Sequence, residues 1–193
     1  MRRGCCVVRI ETDRLILRDW GEGDIARFAE GTNTPAVMRH LGGVMDDAKV
    51  ALFEERVLGF QHRLGYTFWI AQRKDDGAVL GFCGLKVIDA PGATFPGEME
   101  IGWRFREDSW GQGYAKEAAI ASLDAGFERF GAAEIFAITN IENTASWGLM
   151  LRLGMVRRAE LDFVDARFEP PVGDTIVHSI NAETWRSIGR AGR

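Results

Sequence analysis

A chain of 193 residues, 46% hydrophobic and 27% charged, with 23 glycines, 5 prolines and no low-complexity tract, is enough for one domain with a sizeable core, and it argues against disorder beyond the ends at residues 1–6 and 189–193. A net charge of −4 excludes the basic footprint of a general nucleic-acid binder and is compatible with a cationic or amine substrate. Cys5, Cys6 and Cys83 form no Cys-x-x-Cys pair, and His40, His62 and His178 are scattered, so neither a disulfide framework nor a zinc site is present; with no apolar run near the ~20 residues of a membrane helix and no signal peptide, a cytoplasmic protein bound to neither membrane nor metal is the default.

Residues 9–20 read as a strand, with Leu15 and Leu17 pointing one way. Residues 21–24 break it, and Asp24 is placed to cap a short helix reaching Phe28 or Ala29. After a loop at 31–35, Pro35 suits the first position of a helical turn. Asp46 or Asp47 caps a longer helix over 48–64, striped by Val50, Phe53, Val57, Phe60 and Leu64 and stopped by Gly65. Residues 66–73 and 78–88 are strands joined by hairpin chemistry at Lys74-Asp75-Asp76-Gly77. Gly81 and Gly84 predict a bulge or the close approach of another backbone.

Residues 98–105 alternate: Met99, Ile101, Trp103 and Phe105 on one face, Glu98, Glu100, Gly102 and Arg104 on the other. A helix over 113–130 and an apolar strand over 133–139 complete a strand–helix–strand unit, which predicts a parallel pair. Asn143 caps a helix to about Leu153, ended by Gly154, and residues 155–161 and 175–182 close as two strands around a loop at 162–174. The result is an α+β chain with about seven strands in a mixed, mostly antiparallel sheet flanked by helices. Residues 8–187 form a single domain, with tails at 1–7 and 188–193.

The stretch Ser109-Trp110-Gly111-Gln112-Gly113-Tyr114-Ala115 joins a strand to a helix N-terminus. Free backbone N–H groups and the helix dipole make such a turn an anion site, and glycine lets a phosphate approach the main chain. The run Gly-x-x-x-x-Gly-Lys-Ser/Thr of an ATPase-type phosphate loop is absent, and a dinucleotide fingerprint fails because Lys116 stands at its third glycine.

Trp110-Gly111-Gln112-Gly113-Tyr114-Ala115-Lys116-Glu117-Ala118 resembles the acyl-CoA loop of the GNAT superfamily of N-acetyltransferases. Three more segments, in the same order and spacing, are similar to the branch that includes the ribosomal-protein N-acetyltransferases. They are Ile10-Glu11-Thr12-Asp13-Arg14-Leu15-Ile16-Leu17-Arg18, Met99-Glu100-Ile101-Gly102-Trp103, and Asn143-Thr144-Ala145-Ser146 through Leu153-Gly154-Met155. The resemblance implies the GNAT acyl-CoA N-acyltransferase fold. Where the superfamily signature begins with Arg or Gln, this chain has Asp108. The pyrophosphate of CoA is therefore expected on the main-chain N–H groups of Gly111, Gln112, Gly113, Tyr114 and Ala115.

The resemblance further implies acetyl transfer from acetyl-CoA to a primary amine by direct attack. The acceptor must be neutral, and an α-amine (pKa ~7.7–8.0) meets that condition more easily than a lysine-type amine (~10.4), so a protein or peptide N-terminus is the preferred acceptor. Small amines such as polyamines, amino-acid derivatives or antibiotics are the alternative acceptors, and a silent acyl-CoA-binding module is the alternative class. Glu100 is the expected base, with Glu98 as the fallback, and Ser146 a candidate proton donor to the leaving sulfur or a residue of the helix's first turn. Backbone amides near Ile101 and Trp103 are expected at the acetyl carbonyl, and Asn143 as both helix cap and pantetheine contact. Trp110 is expected in the core, with lining the cofactor groove as its alternative, Cys83 in the core, His178 packed or on the surface, and Asp124, Glu128 and Arg129 on a solvated helix face. The acceptor is expected between residues 33–64 and the loop at 162–174. The protein is a monomer or homodimer with no nucleic-acid partner.

Overall fold

The N-terminal segment is a hairpin rather than one strand. In the computed structural model, β1 (Arg9–Glu11) pairs antiparallel with β2 (Leu15–Arg18), Ile10 opposite Leu17. Thr12 makes the turn: its N–H donates to the Leu15 carbonyl, and its hydroxyl accepts from the Leu15 N–H at 2.9 Å. The structure describes residues 8–190, so the expected tails at 1–7 and 188–193, with Cys5 and Cys6, lie outside it apart from residues 188–190.

The chain forms two compact units. The first comprises residues 1–39, 43–86 and 102–121. Here β2 pairs with β3 (Phe68–Arg73), and β3 with β4 (Val79–Val87), all antiparallel, and β4 neighbours the second half of β5 (Met99–Phe105). Both glycine expectations hold: the β3–β4 register shifts between Ala71 and Gln72, and a Cβ on Gly81 would fall 2.0 Å from the Arg104 carbonyl oxygen.

Three helices accompany this sheet: α1 (Asp24–Thr32), α2 (Pro35–Met38) and α3 (Asp47–Leu64). Asp46 caps α3 through the Lys49 N–H and Gly65 ends it, as expected. Asp24 is not the cap of α1; Gly23 holds that position. The Asp24 carboxylate is buried and accepts from the Arg18 and Arg27 guanidinium groups and from the Gly21 N–H. Burial alone would raise its pKa, but Arg18, Gly21 and Arg27 outweigh that and hold it low. The unit's core is aromatic: Trp20, Phe28, Val57, Ile70, Val79 and Phe82, with Ile25, Phe53 and Phe68 against them.

The second unit comprises residues 40–42, 87–101 and 122–193. The first half of β5 pairs in parallel with β6 (Glu134–Asn140), Met99 opposite Ile135 and Glu100 opposite Phe136, as the strand–helix–strand pattern predicts. Between them the chain runs through α4 (Tyr114–Asp124) and a π-turn at Ala125–Arg129. After β6 come α5 (Thr144–Arg152), β7 (Val156–Arg157), β8 (Phe163–Val164), β9 (Asp174–Asn181) and α6 (Ala182–Arg190). β9 pairs antiparallel with β6 along its length and also receives β7 and β8. A core of Ile88, Phe136 and Val177, with Phe95 and Phe163, lies on this sheet.

Among the described residues nine strands replace the expected seven, because the first splits into a hairpin and β8 forms inside the expected loop. α6 was not expected. Asn181 caps it through the Thr184 N–H, and its Trp185 is buried with the indole N–H on Asp124, so Asp124 is not merely solvated. Among the described residues no helix is long and apolar enough to cross a membrane.

Candidate active site

The glycine turn lies in the first unit, between a 3₁₀ turn at Glu107–Ser109 and the start of α4. Gly111 and Gly113 both have positive φ, 71° and 83°. This conformation costs a non-glycine residue about 1–2 kcal/mol, so the sequence needs glycine at both places. The consequence is a run of unused donors. Among the described residues no acceptor takes the N–H groups of Gly111, Gln112, Gly113, Tyr114 or Ala115, and the first backbone bond reaching into the helix is Glu117 N–H to Gly113 at 3.0 Å. Consecutive free N–H groups at a helix N-terminus suit a phosphate.

Glu117, on the first turn of α4, fixes this turn to the N-terminal hairpin. Its carboxylate accepts from the Thr12 hydroxyl at 2.5 Å, the Arg14 N–H at 2.8 Å and the Arg14 Nε at 2.7 Å. Burial would raise the Glu117 pKa, but the Thr12 hydroxyl, the Arg14 N–H and the Arg14 guanidinium hold it low. Arg14 also donates from Nη1 to the Gln112 carbonyl at 3.0 Å, and its Cζ stands 4.4 Å above the Tyr114 ring. A positive side chain therefore does stand at the turn, supplied by the hairpin. Neither Arg14 nor Glu117 has an expected role from sequence; the signal was their opposite charge within two segments of one family pattern.

The remaining contacts brace the turn. Asp108 is engaged by Arg106 at 2.6 Å, and its carbonyl accepts the Gln112 side-chain amide at 2.6 Å. Trp110, expected in the core, is 51% exposed: its indole N–H donates to the Phe105 carbonyl, which holds the ring outside. Tyr114 is buried beneath Arg14, and Trp103 is half-buried on β5.

The other expected residues belong to the second unit. Glu100 is 6% exposed, so it is buried in its strand rather than solvated. Arg167, on the late loop, is within electrostatic reach of it. Burial lowers the Arg167 pKa, but the carboxylates of Asp165, Asp89 and Glu100 together raise it, which keeps a full positive charge beside Glu100. Arg167 is a second residue that sequence analysis missed, because its loop carries no motif. Ile101 is buried next to Glu100 on β5, whereas Glu98 is exposed and precedes the strand.

Asn143 caps α5 as expected. Its Oδ1 accepts the Ser146 N–H at 3.3 Å and its Nδ2 donates to the Thr139 hydroxyl at 3.0 Å, which ties the cap to β6. The Ser146 hydroxyl has no hydrogen-bond partner among the described residues. Thus the turn residues cluster in one unit, while Glu100, Ile101, Asn143 and Ser146 are carried by β5, β6 and α5 in the other. Cys83 is in the core, and His178 is packed at 3% exposure.

A family model described as an acetyltransferase (GNAT) domain matches residues 14–156. The uncharacterised protein YkkB of Bacillus subtilis is 33% identical over 148 residues, 76% of this chain and 84% of that protein. The uncharacterised N-acetyltransferase YnaD of the same organism is 29% identical over 153 residues, 78% of this chain and 84% of that one. Among solved structures, an acetyltransferase from Agrobacterium tumefaciens matches with a TM-score of 0.74 at 23% identity, covering 90% of this chain and 94% of that one.

His178 gives the second unit a pH dependence. Burial, then the nearby Arg157, push its pKa below the ordinary value, with Asp162 opposing, and its Nδ1 is sealed without a hydrogen-bond partner among the described residues. Below about pH 6.5 the unfolded chain takes up the proton first, so stability falls as the solution becomes more acid. Denaturant titrations at pH 8 and pH 5.5 are expected to show this loss, and His178→Phe to reduce it.

Proposed function

The chain belongs to the GNAT acetyltransferase family and is an acetyl-CoA-dependent acetyltransferase, and from that premise we propose where its two substrates engage and which residues act on them. The observation that carries the proposal is the run of free main-chain N–H groups from Gly111 to Ala115. These donors, with the positive end of α4 and Arg14 beside them, hold the CoA pyrophosphate. The Asn143 side chain keeps one amide hydrogen beyond its two bonds, and this hydrogen serves the pantetheine arm. Residues 8–187 act as one catalytic domain, in keeping with a family match that runs through parts of both units.

Acetyl-CoA supplies an activated acyl group whose transfer needs no acyl-enzyme. The protein's tasks are to take a proton from the amine, to donate to the acetyl carbonyl and to protonate the departing sulfur. Glu100 is the base. Its burial restricts water around it, and the Arg167 charge stands within electrostatic reach of it. Main-chain N–H groups near Ile101 and Trp103 face the carbonyl. The Ser146 hydroxyl, unused within the fold, donates to the thiolate, the least demanding step because a thiol pKa is near ~8.5.

The acceptor is a primary amine, with a protein or peptide N-terminal α-amine preferred. That amine is substantially neutral at physiological pH and costs the base little, whereas a lysine-type amine is almost wholly protonated. Cys83, reduced and buried, suits a cytoplasmic location.

Free-thiol release across a panel of N-terminal peptides and small amines tests the acceptor class, the highest kcat/KM being expected for a peptide. Glu100→Gln is expected to lower kcat about 100-fold with CoA affinity retained. An unchanged rate on the best acceptor would remove Glu100 from the mechanism. Calorimetry with CoA is expected to show a far larger loss for Gly113→Val than for Gln112→Ala, since the turn needs the glycine backbone and not the glutamine side chain for binding.

A further inference from the structure

The sheet face that carries Glu100 is aromatic. Glu100 stands opposite Phe136 in the parallel β5–β6 pair, so both side chains project to the same face. Ile138 follows on that face, two residues along β6, and Val177 of β9 stands opposite Ile138. Phe136 is buried there with Ile88 and Val177. Phe95, Phe163 and Ile138 pack against that core but keep part of their surface exposed. The Phe95 ring centroid lies 5.0 Å from that of Phe136 and 6.2 Å from that of Phe163.

Two segments far apart in sequence supply these rings, residues 89–97 and 163–167, and three contacts fasten the segments together. Arg167 Nη1 stands 3.9 Å from the Asp89 carboxylate. Gly92 has a positive φ of 95°, and a Cβ there would overlap the Val164 carbonyl oxygen, so glycine lets the two backbones close up. The Phe95 and Phe163 rings meet edge to face. Arg167 is itself fixed, its main-chain N–H, Nε and Nη2 all donating to the buried Asp165 carboxylate. The half-exposed rings are therefore held in place before any ligand arrives, and using them costs little ordering.

We propose that Phe95 and Phe163, with Ile138, select an acceptor whose primary amine sits next to an aromatic group. The inference rests on Glu100 as the base. An amine within hydrogen-bond reach of Glu100 has its α-carbon one bond further away, so the group on that carbon lies against this face. An aromatic group there leaves water and stacks on the rings, whereas a hydroxyl or amide gives up hydration and finds no acceptor on a phenyl face. The N-terminal residue of a peptide and a free arylalkylamine present the same chemistry to these rings.

Free-thiol release with phenylalaninamide and with serinamide tests this on the whole protein, since the two share an α-amine and differ in the side chain. The kcat/KM for phenylalaninamide is expected to be roughly tenfold higher or more. Equal values, a preference for serinamide, or turnover of neither overturns the proposal and needs no variant. Phe163→Ser is expected to cut the ratio roughly threefold or more with CoA binding retained; a variant that binds CoA and keeps the full ratio overturns the proposal. Should Phe163→Ser not fold, Phe95→Ser carries the same expectation and the same reversal. Glu100→Gln is read separately: a lost rate, with no side-chain preference in the native protein, defeats selection by the rings and leaves the base in place. With the preference established, a tripeptide beginning with Phe distinguishes the sources, outrunning phenylalaninamide for a peptide acceptor and falling behind it for a small amine.

Discussion

A single carboxylate, that of Glu117, holds the first unit's functional edge together. It collects the Thr12 hydroxyl, the Arg14 N–H and the Arg14 guanidinium, and in doing so fastens the N-terminal hairpin to the first turn of α4. The same guanidinium holds the Gln112 carbonyl and lies over Tyr114, so both sides of the glycine turn are fixed. With that turn fixed, Gly111 and Gly113 keep their left-handed conformations and the following N–H groups stay unpaired. Charge-assisted hydrogen bonds to an ionised acceptor are stronger than neutral ones, which suits a contact of so few residues holding a turn.

The charges around the turn follow one logic. Asp108 stands where a basic residue begins the superfamily signature, and it would oppose a phosphate if it were free. It is instead bound by Arg106, and its carbonyl is bound by the Gln112 amide. The positive charge comes from Arg14, supplied by a different element. In the second unit a comparable pairing puts Arg167 within electrostatic reach of the buried Glu100. Thr12 and Arg14, from a sequence-distant segment, thus hold the Glu117 carboxylate ionised.

Much of this was legible from the residues. The glycine turn, the parallel pair of β5 with β6, the Asn143 cap and the Gly81 close approach all follow from local rules: turn chemistry, crossover connection, capping preference and the absence of a β-carbon. Other features depended on distant partners. Trp110 read as core because it is large and apolar, but a single indole hydrogen bond to Phe105 holds it out. Asp24 read as a helix cap from its type and position, whereas three donors from separate places make it a buried anchor. Residues 9–20 alternate like one strand, and Thr12, bonding to Leu15 through both its N–H and its hydroxyl, turns them into two. The role of Arg14 lay in its charge opposite to Glu117 in a distant segment, and that of Arg167 in a loop that carries no motif.

The central claim is that main-chain N–H groups of the glycine turn, braced by Arg14 and Glu117, hold the pyrophosphate of CoA. Titrating ¹⁵N-labelled protein with CoA, and following the amide resonances, tests it most directly. The largest downfield amide proton shifts are predicted for Gly111, Gly113, Tyr114 and Ala115, reproduced by 3′,5′-ADP with its phosphates but not by pantetheine alone. CoA binding that leaves these amides in place and moves those of another segment would contradict the account.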